Sequence, residues 1–201
     1  CPQCSASHGA QRGRIDGTWV EIDPGQHWGS WVKHFYEATS YNYSFFVPHD
    51  VPTLIEKCGG EDAFIRRLVY GIETGLVDYG NEPAFLASYL FAYTQKPWLI
   101  TESIDKLRDL FTVDGPPGND DSGAMSSWYI FSSVGFFPNA VQNLYFLTSP
   151  RYDQTFISMP GGREILLRAN NLSAENKYIQ AVRINGQRWH STTFTHELIR
   201  D

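Results

Sequence analysis

Three short stretches carry carboxylates where they could do chemistry. Gly80-Asn81-Glu82-Pro83 and Gly118-Asn119-Asp120-Asp121-Ser122-Gly123 each set bare acids and a carboxamide between a glycine and the start of a helical pattern. Glu37 lies in Phe35-Tyr36-Glu37-Ala38-Thr39-Ser40-Tyr41-Asn42-Tyr43-Ser44-Phe45-Phe46, where aromatics are dense. Carboxylates beside aromatic walls suit carbohydrate. Oxygens accept from sugar hydroxyls, apolar faces cover sugar rings, and an acid and a base can act on a glycosidic bond. Adjacent carboxylates such as Asp120 and Asp121 repel, so their loop must supply donors, a cation or a helix N-terminus. Each pattern also fits a plain helix cap or a surface acid. His49-Asp50, after Val47-Pro48, fits a turn as well as a binding pair.

These residues need elements to position them. From Pro48 to about Val134 the pattern is helical. Val51 to Cys58 reads as a helix stopped by Gly59-Gly60. Phe64, Ile65, Leu68, Val69 and Ile72 share one face of the next. Pro83 suits the first turn of a third helix bearing Phe85, Leu86, Tyr89, Leu90 and Tyr93. Pro97 opens a fourth with Ile104, Leu107, Leu110 and Phe111 inward. Asp121 or Ser122 caps a fifth carrying Met125, Trp128, Tyr129 and Val134. Trp128 and Tyr129 read as core rather than as a sugar platform.

After Pro138 the pattern becomes β: Leu144 to Thr148, Thr155 to Met159, Glu164 to Arg168 and Tyr178 to Ile184 read as strands. Asn185-Gly186 is a two-residue hairpin signal. The expected fold class is α+β, with a helical region over 1–138 and a β-strand region over 139–201.

Composition narrows the function. Of 201 residues, six are Trp, eleven Tyr and thirteen Phe, enough for both a core and a ring-stacking cleft. A net charge of −6 with interspersed signs argues against nucleic acid and anionic membranes as partners. No apolar run approaches the ~18 residues of a membrane span. Cys1-Pro2-Gln3-Cys4 has CxxC spacing without a second pair, so a zinc site is not expected. Asn42-Tyr43-Ser44 and Asn171-Leu172-Ser173 match the N-glycosylation pattern. No secretory leader pattern is legible at the start. The abrupt end at Ile199-Arg200-Asp201, and five helices that are too few to close a toroid, lead us to expect the C-terminal piece of a larger enzyme, with apolar stripes left exposed.

The order of the motifs resembles glycoside hydrolase family 92: Tyr36-Glu37 through Phe45-Phe46-Val47-Pro48-His49-Asp50, then Gly80-Asn81-Glu82-Pro83, then Gly118 through Tyr129. Ser149-Pro150 and the run from Asn176 to Gly186 fit the same family. The resemblance covers the chain from about residue 26 onward, and Gly118 to Pro138 is its most specific part. It implies a calcium-dependent exo-α-mannosidase that inverts the anomeric centre, built from an N-terminal β-sandwich and an (α/α)6 barrel. This chain would be part of that barrel plus the strands that follow.

By the same resemblance Glu37 is the general acid and Asp121 the general base, with Asp120 beside it in the catalytic set. Glu82, Asn81, His49, Asp50 and Tyr41 would meet substrate. Ala38 and Tyr41 depart from the family's Gly and Trp. Asn81 stands where some members have His, which leaves the linkage open. Asn119 stands where some have an acid. Carboxamides of the two loops, Asn81 and Asn119, are the candidates for calcium. The implied substrate is a mannose-containing oligosaccharide or glycoprotein glycan, and the implied location is secreted or periplasmic. Two rival readings remain: a different (α/α)6 glycosidase or lyase, and a non-catalytic carbohydrate-binding or scaffold piece.

Overall fold

The structure, a computed structural model, describes residues 14–19 and 35–200. The Cys1 to Cys4 spacing lies outside the described residues. A minimal hairpin, β1 (Arg14–Ile15) and β2 (Thr18–Trp19), comes first. The helical part follows as α1 (Ser40–Phe45), α2 (Val51–Lys57), α3 (Glu61–Glu73), α4 (Leu99–Arg108) and α5 (Ala124–Val134). Strands β3 (Phe136–Asn139), β4 (Leu144–Leu147) and β9 (Thr193–Thr195) form one antiparallel sheet in the order β3-β4-β9. Two separate antiparallel pairs are β5 (Gln154–Met159) with β6 (Arg163–Arg168), and β7 (Val182–Ile184) with β8 (Gln187–Trp189). A short α6 (Glu197–Arg200) follows. This is the mixed helix-then-strand order that the sequence predicts.

Local chemistry accounts for the elements. Asp50 caps α2 by accepting from the Thr53 amide at 3.2 Å. Phe64, Ile65 and Leu68 of α3 are buried on one face, and Gly71 lets that helix close on Val77 and Tyr41. A Cβ at Gly71 would come within 2.9 Å of the Tyr41 ring. Ile184 pairs with Gln187 across Asn185-Gly186, and both turn residues have positive φ (+49° and +80°), as a primed two-residue turn requires.

Three expectations are corrected. The third helix is not α: the chain forms a 3-10 turn at Glu82–Ala84 and a 3-10 helix at Ala87–Tyr93. Its backbone is engaged sideways. The Ser88 amide donates to the Tyr79 hydroxyl at 3.0 Å, and the Phe85 carbonyl accepts from the Trp128 indole at 3.0 Å. Those groups are therefore diverted from a regular α ladder. The fourth expected strand forms only over Val182–Ile184, because Lys177 and Tyr178 reach α4 instead. The Lys177 ammonium lies 3.2 Å from Asp105, and the Tyr178 hydroxyl donates to Glu102 at 2.8 Å. α1 forms ahead of Pro48, where the helical pattern is read to begin. Its capping box, Thr39 with Asn42, starts it.

One core joins helices to sheet. Tyr89 of the 3-10 helix stacks on Phe137 of β3 at 4.4 Å between ring centroids and lies 6.0 Å from Phe146 of β4. Trp128 of α5 is 1% exposed and stacks with Phe111, as expected for a core residue. Leu110, expected inward on the fourth helix, lies beyond the end of α4 and stands exposed, as do Val113 and Ile130.

Two buried tyrosines in this core differ in one respect. The Tyr79 hydroxyl lies 2.5 Å from Ser88 Oγ and also accepts the Ser88 amide, whereas the Tyr89 hydroxyl has no partner among the described residues. Removing a paired buried group strands its partners, while removing an unpaired one relieves a desolvation cost. Tyr79→Phe should therefore lose about 1–3 kcal/mol, and Tyr89→Phe should be neutral or gain up to about 1 kcal/mol. Urea midpoints of the two variants decide it. Equal losses would refute the distinction.

Candidate active site

Backbone contact between two glycines brings the acidic loops together. A Cβ on Gly118 would lie 2.1 Å from the Gly80 carbonyl oxygen and 2.6 Å from its Cα. No side chain fits there, so the two motifs abut directly. Gly80 is itself fixed. Its amide donates to Asp78 Oδ1 at 2.8 Å. The Asp78 amide in turn donates to Asn42 Oδ1 at 3.2 Å, and the Asn42 carboxamide nitrogen donates to the Asp78 carbonyl at 2.9 Å. The Thr39 hydroxyl lies 2.6 Å from the Leu76 carbonyl. The start of α1 is thus pinned to the segment that leads into Asn81.

Glu37 is joined to the same hub. It has φ +51°, a left-handed conformation that costs a side-chain-bearing residue roughly 1–3 kcal/mol unless neighbours hold it. Asn81 holds it: the carboxamide nitrogen donates to the Glu37 carbonyl at 2.8 Å. Asn81 is 4% exposed, so this bond is well shielded from water. The half-buried Glu37 carboxylate makes no hydrogen bond or ion pair among the described residues. Its backbone is held and its acid group is open.

The two aspartates of the third loop are unequal. Asp120 Oδ1 accepts from the Ser126 amide at 2.8 Å and Oδ2 from the Ser126 hydroxyl at 2.6 Å. Asp120, not Asp121 or Ser122, therefore supplies the carboxylate that ties the loop to the first turn of α5. Those bonds hold its carboxyl below the usual carboxylate range. A depressed folded-state pKa stabilises the fold above the unfolded value, and that contribution is lost as pH falls through the folded one. Asp121 is exposed and accepts from Asn119 Nδ2 at 2.7 Å through one oxygen. Its other oxygen has no partner among the described residues. Ser122 at φ +55° and Gly123 at +83° turn the chain between the two acids and α5.

The remaining expected residues divide. Asn81 and Glu82 belong to the hub, and the half-buried Glu82 carboxylate has no partner among the described residues. Tyr41 was expected at substrate. It is 2% exposed and lies 6.3–6.4 Å from the Tyr70 and Phe45 rings, so here it is a core ring. Asp50 is a helix cap whose carboxyl is held low by the Thr53 hydroxyl and amide. His49 is exposed, and its carbonyl accepts from Gln142 at 3.1 Å, tying its turn to the sheet region. Sequence reasoning missed Asn42, Thr39 and Asp78. The Thr-x-x-Asn cap and the Asp-x-Gly turn were the signals available.

Oxygen donors dominate the hub. With its nitrogen committed to Glu37, Asn81 retains its carboxamide oxygen, and Asn119 likewise after donating to Asp121. Such donors suit a hard cation. Among the described residues no group of three or more His, Cys, Asp or Glu gathers that could hold a metal ion by itself.

Open carboxylates on braced loops are the equipment of a glycoside hydrolase. Residues 5–201 match the model of the Glycosyl hydrolase family 92 catalytic domain, and the chain belongs to that family. It is 38% identical over 170 residues to an uncharacterized secreted glycosidase of Arthroderma benhamiae, covering 81% of this chain and 22% of the relative. A family GH92 α-mannosidase of Bacteroides thetaiotaomicron superposes with a TM-score of 0.84 at 31% identity, covering 99% of this chain and 28% of the other. The structure of that enzyme in complex with mannoimidazole gives a TM-score of 0.87 at 29% identity, covering 99% and 30%. An inverting mannosidase of the same family and organism gives 0.82 at 25%, covering 98% and 30%. The chain thus spans less than a third of these relatives' length.

The glycine contact yields a test. Gly118→Ala must drive the acidic loops apart, and a misplacement near 1 Å costs about 100-fold in rate. We expect kcat/KM of the intact glycosidase to fall by that order. Gly161→Ala, whose positive φ (+83°) strains only the exposed β5–β6 turn and whose Cβ would have nothing within 4 Å, should leave it unchanged. Equal activity of the two variants would remove the contact from the site.

Proposed function

We propose that this chain carries the acid and base of an α-mannosidase that hydrolyses terminal α-linked mannose with inversion. One observation carries the reading: the Asn81–Glu37 backbone bond and the Gly80–Gly118 contact link the loops that bear Glu37 and Asp121, two acids with open oxygens among the described residues. Asp120, with both oxygens held by Ser126, supports the loop instead. The inverting mannosidase and the mannoimidazole complex among the relatives support the substrate class and the stereochemistry.

Glu37 protonates the departing glycosidic oxygen. Asp121 takes a proton from a water on the opposite face of the ring, which requires the two carboxyls to stand about 6.5–9.5 Å apart. The Asn81 bond fixes the backbone that presents Glu37, and the Asn119 bond orients one oxygen of Asp121. Glu82, with its carboxylate open among the described residues, would accept from sugar hydroxyls. Asn81 and Asn119 would contribute to holding calcium, which supplies a hard charge that binds vicinal hydroxyls and favours a distorted ring.

The helices α1 to α5 form part of an (α/α)6 barrel, completed by chain of the length found in the relatives, including a β-sandwich. The exposed Leu110, Val113 and Ile130 support a covered surface there. Mannose-bearing glycans outside the cell are the expected substrate. The secreted relative supports that location, and among the described residues no helix is long and apolar enough to cross a membrane.

Leaving groups separate the two roles in the intact enzyme. Glu37→Gln should lower kcat by 100-fold or more, on the order of general-acid contributions, for an unactivated mannoside and much less for an activated aryl mannoside. Asp121→Asn should impair both alike, since water attack needs the base whatever departs. The opposite pattern would exchange the roles, and full activity in both variants would reject the assignment. Activity should also vanish on exhaustive chelation and return with calcium. Undiminished turnover after chelation would reject the cation.

A further inference from the structure

We propose that Asn171 is an N-glycan attachment site of this protein and that Asn42, the other Asn-x-Ser asparagine, is closed to modification in the folded state. The sequence treats Asn42-Tyr43-Ser44 and Asn171-Leu172-Ser173 alike. The fold separates them.

Asn42 is 1% exposed and both ends of its carboxamide are committed. The oxygen accepts from the Thr39 hydroxyl at 2.6 Å and from the Asp78 amide at 3.2 Å, and the nitrogen donates to the Asp78 carbonyl at 2.9 Å. A sugar on that nitrogen would need volume that the packed start of α1 lacks, and it would break the brace that leads to Gly80.

Asn171 lies in the turn beyond β6. It is exposed, with φ +60°, and its carboxamide makes no hydrogen bond among the described residues. Ladder pairing stops just before it, at the bond from the Ala169 amide to the Asp153 carbonyl (2.8 Å). Half-buried Leu172 anchors the turn while Ser173 stays exposed, its hydroxyl donating to Glu175 at 2.8 Å. An exposed turn of this kind is where an acceptor asparagine belongs, and a glycan there projects into solvent without displacing packed atoms.

The step needs a lipid-linked oligosaccharide diphosphate as co-reactant, delivered by the transferase of a secretory membrane. A bond forms between Asn171 Nδ2 and the anomeric carbon. The bond from that carbon to the diphosphate oxygen breaks, the lipid diphosphate leaves with the electron pair, and Nδ2 gives up one proton. The inference rests on the reading that the chain is secreted. The experiment supplies the route itself, so failure of the site and failure of that location are separate results.

The full-length protein is expressed behind a secretion leader in a eukaryotic cell, and the soluble folded fraction is mapped by mass spectrometry before and after peptide-N-glycosidase. Among the peptides of these 201 residues we expect one glycan, on the peptide containing Asn171. It should disappear in Asn171→Gln and in Ser173→Ala and persist in Ser44→Ala, which removes the other acceptor pattern and keeps Asn42. An unmodified Asn171 in the folded wild-type fraction would overturn the proposal. A glycan on Asn42 in that fraction would overturn the exclusion.

Discussion

The close approach of Gly118 to the Gly80 carbonyl is the constraint on which the rest of the site depends. Two loops far apart in sequence meet backbone to backbone, with no side chain between them to tune the spacing. The contact is held from one side by the chain of bonds from Thr39 and Asn42 through Asp78 to Gly80. From the other side Asp120, bonded to Ser126, ties the Gly118 loop to α5. A backbone contact of this kind is stiff, because neither partner has a rotamer to change. That stiffness suits a reaction whose geometry must be set before substrate arrives.

Around this contact the structure separates acids whose oxygens are engaged from acids with an open oxygen among the described residues. Asp50 and Asp120 spend their oxygens on amides and hydroxyls at helix starts, which lowers their proton affinity and fixes helices. Glu37, Glu82 and Asp121 keep at least one oxygen open among the described residues. The same division runs through the carboxamides. Asn42 is wholly consumed by structure, whereas Asn81 uses its nitrogen on Glu37 and keeps its oxygen. Positive φ at Glu37 and Ser122 marks the two places where the chain departs from relaxed geometry to present these groups.

Aromatic density serves the core more than a cleft. Tyr89, Phe137 and Phe146 knit the 3-10 helix to the sheet, and Phe111, Trp128 and Tyr79 knit α5 to the segment before Gly80. The Gly80 loop follows Tyr79 of these rings directly, so movement of the core would be felt at Gly80, whereas exposed residues separate Phe111 from Gly118. The Tyr89 hydroxyl is one of the buried polar atoms without a partner among the described residues.

By itself the sequence determined most of what depends on near neighbours. The faces of α3 and α4, the stop at Gly59-Gly60, the hairpin at Asn185-Gly186 and the strands β4 to β6 follow from period and turn chemistry. The order of the acidic motifs was likewise enough to point to the family. Other features required the folded chain. Tyr79 and Trp128 draw backbone groups of the 84–91 segment sideways, so its helical pattern resolves as 3-10. Tyr41 faces the core because Gly71 leaves room for its ring. Asp120 and Asp121, alike in sequence, part because only Asp120 reaches Ser126. Asn42 and Asn171 carry the same motif and differ in burial. In each case local patterns fix what a residue can do, while the partners that long-range packing brings within reach decide what it does.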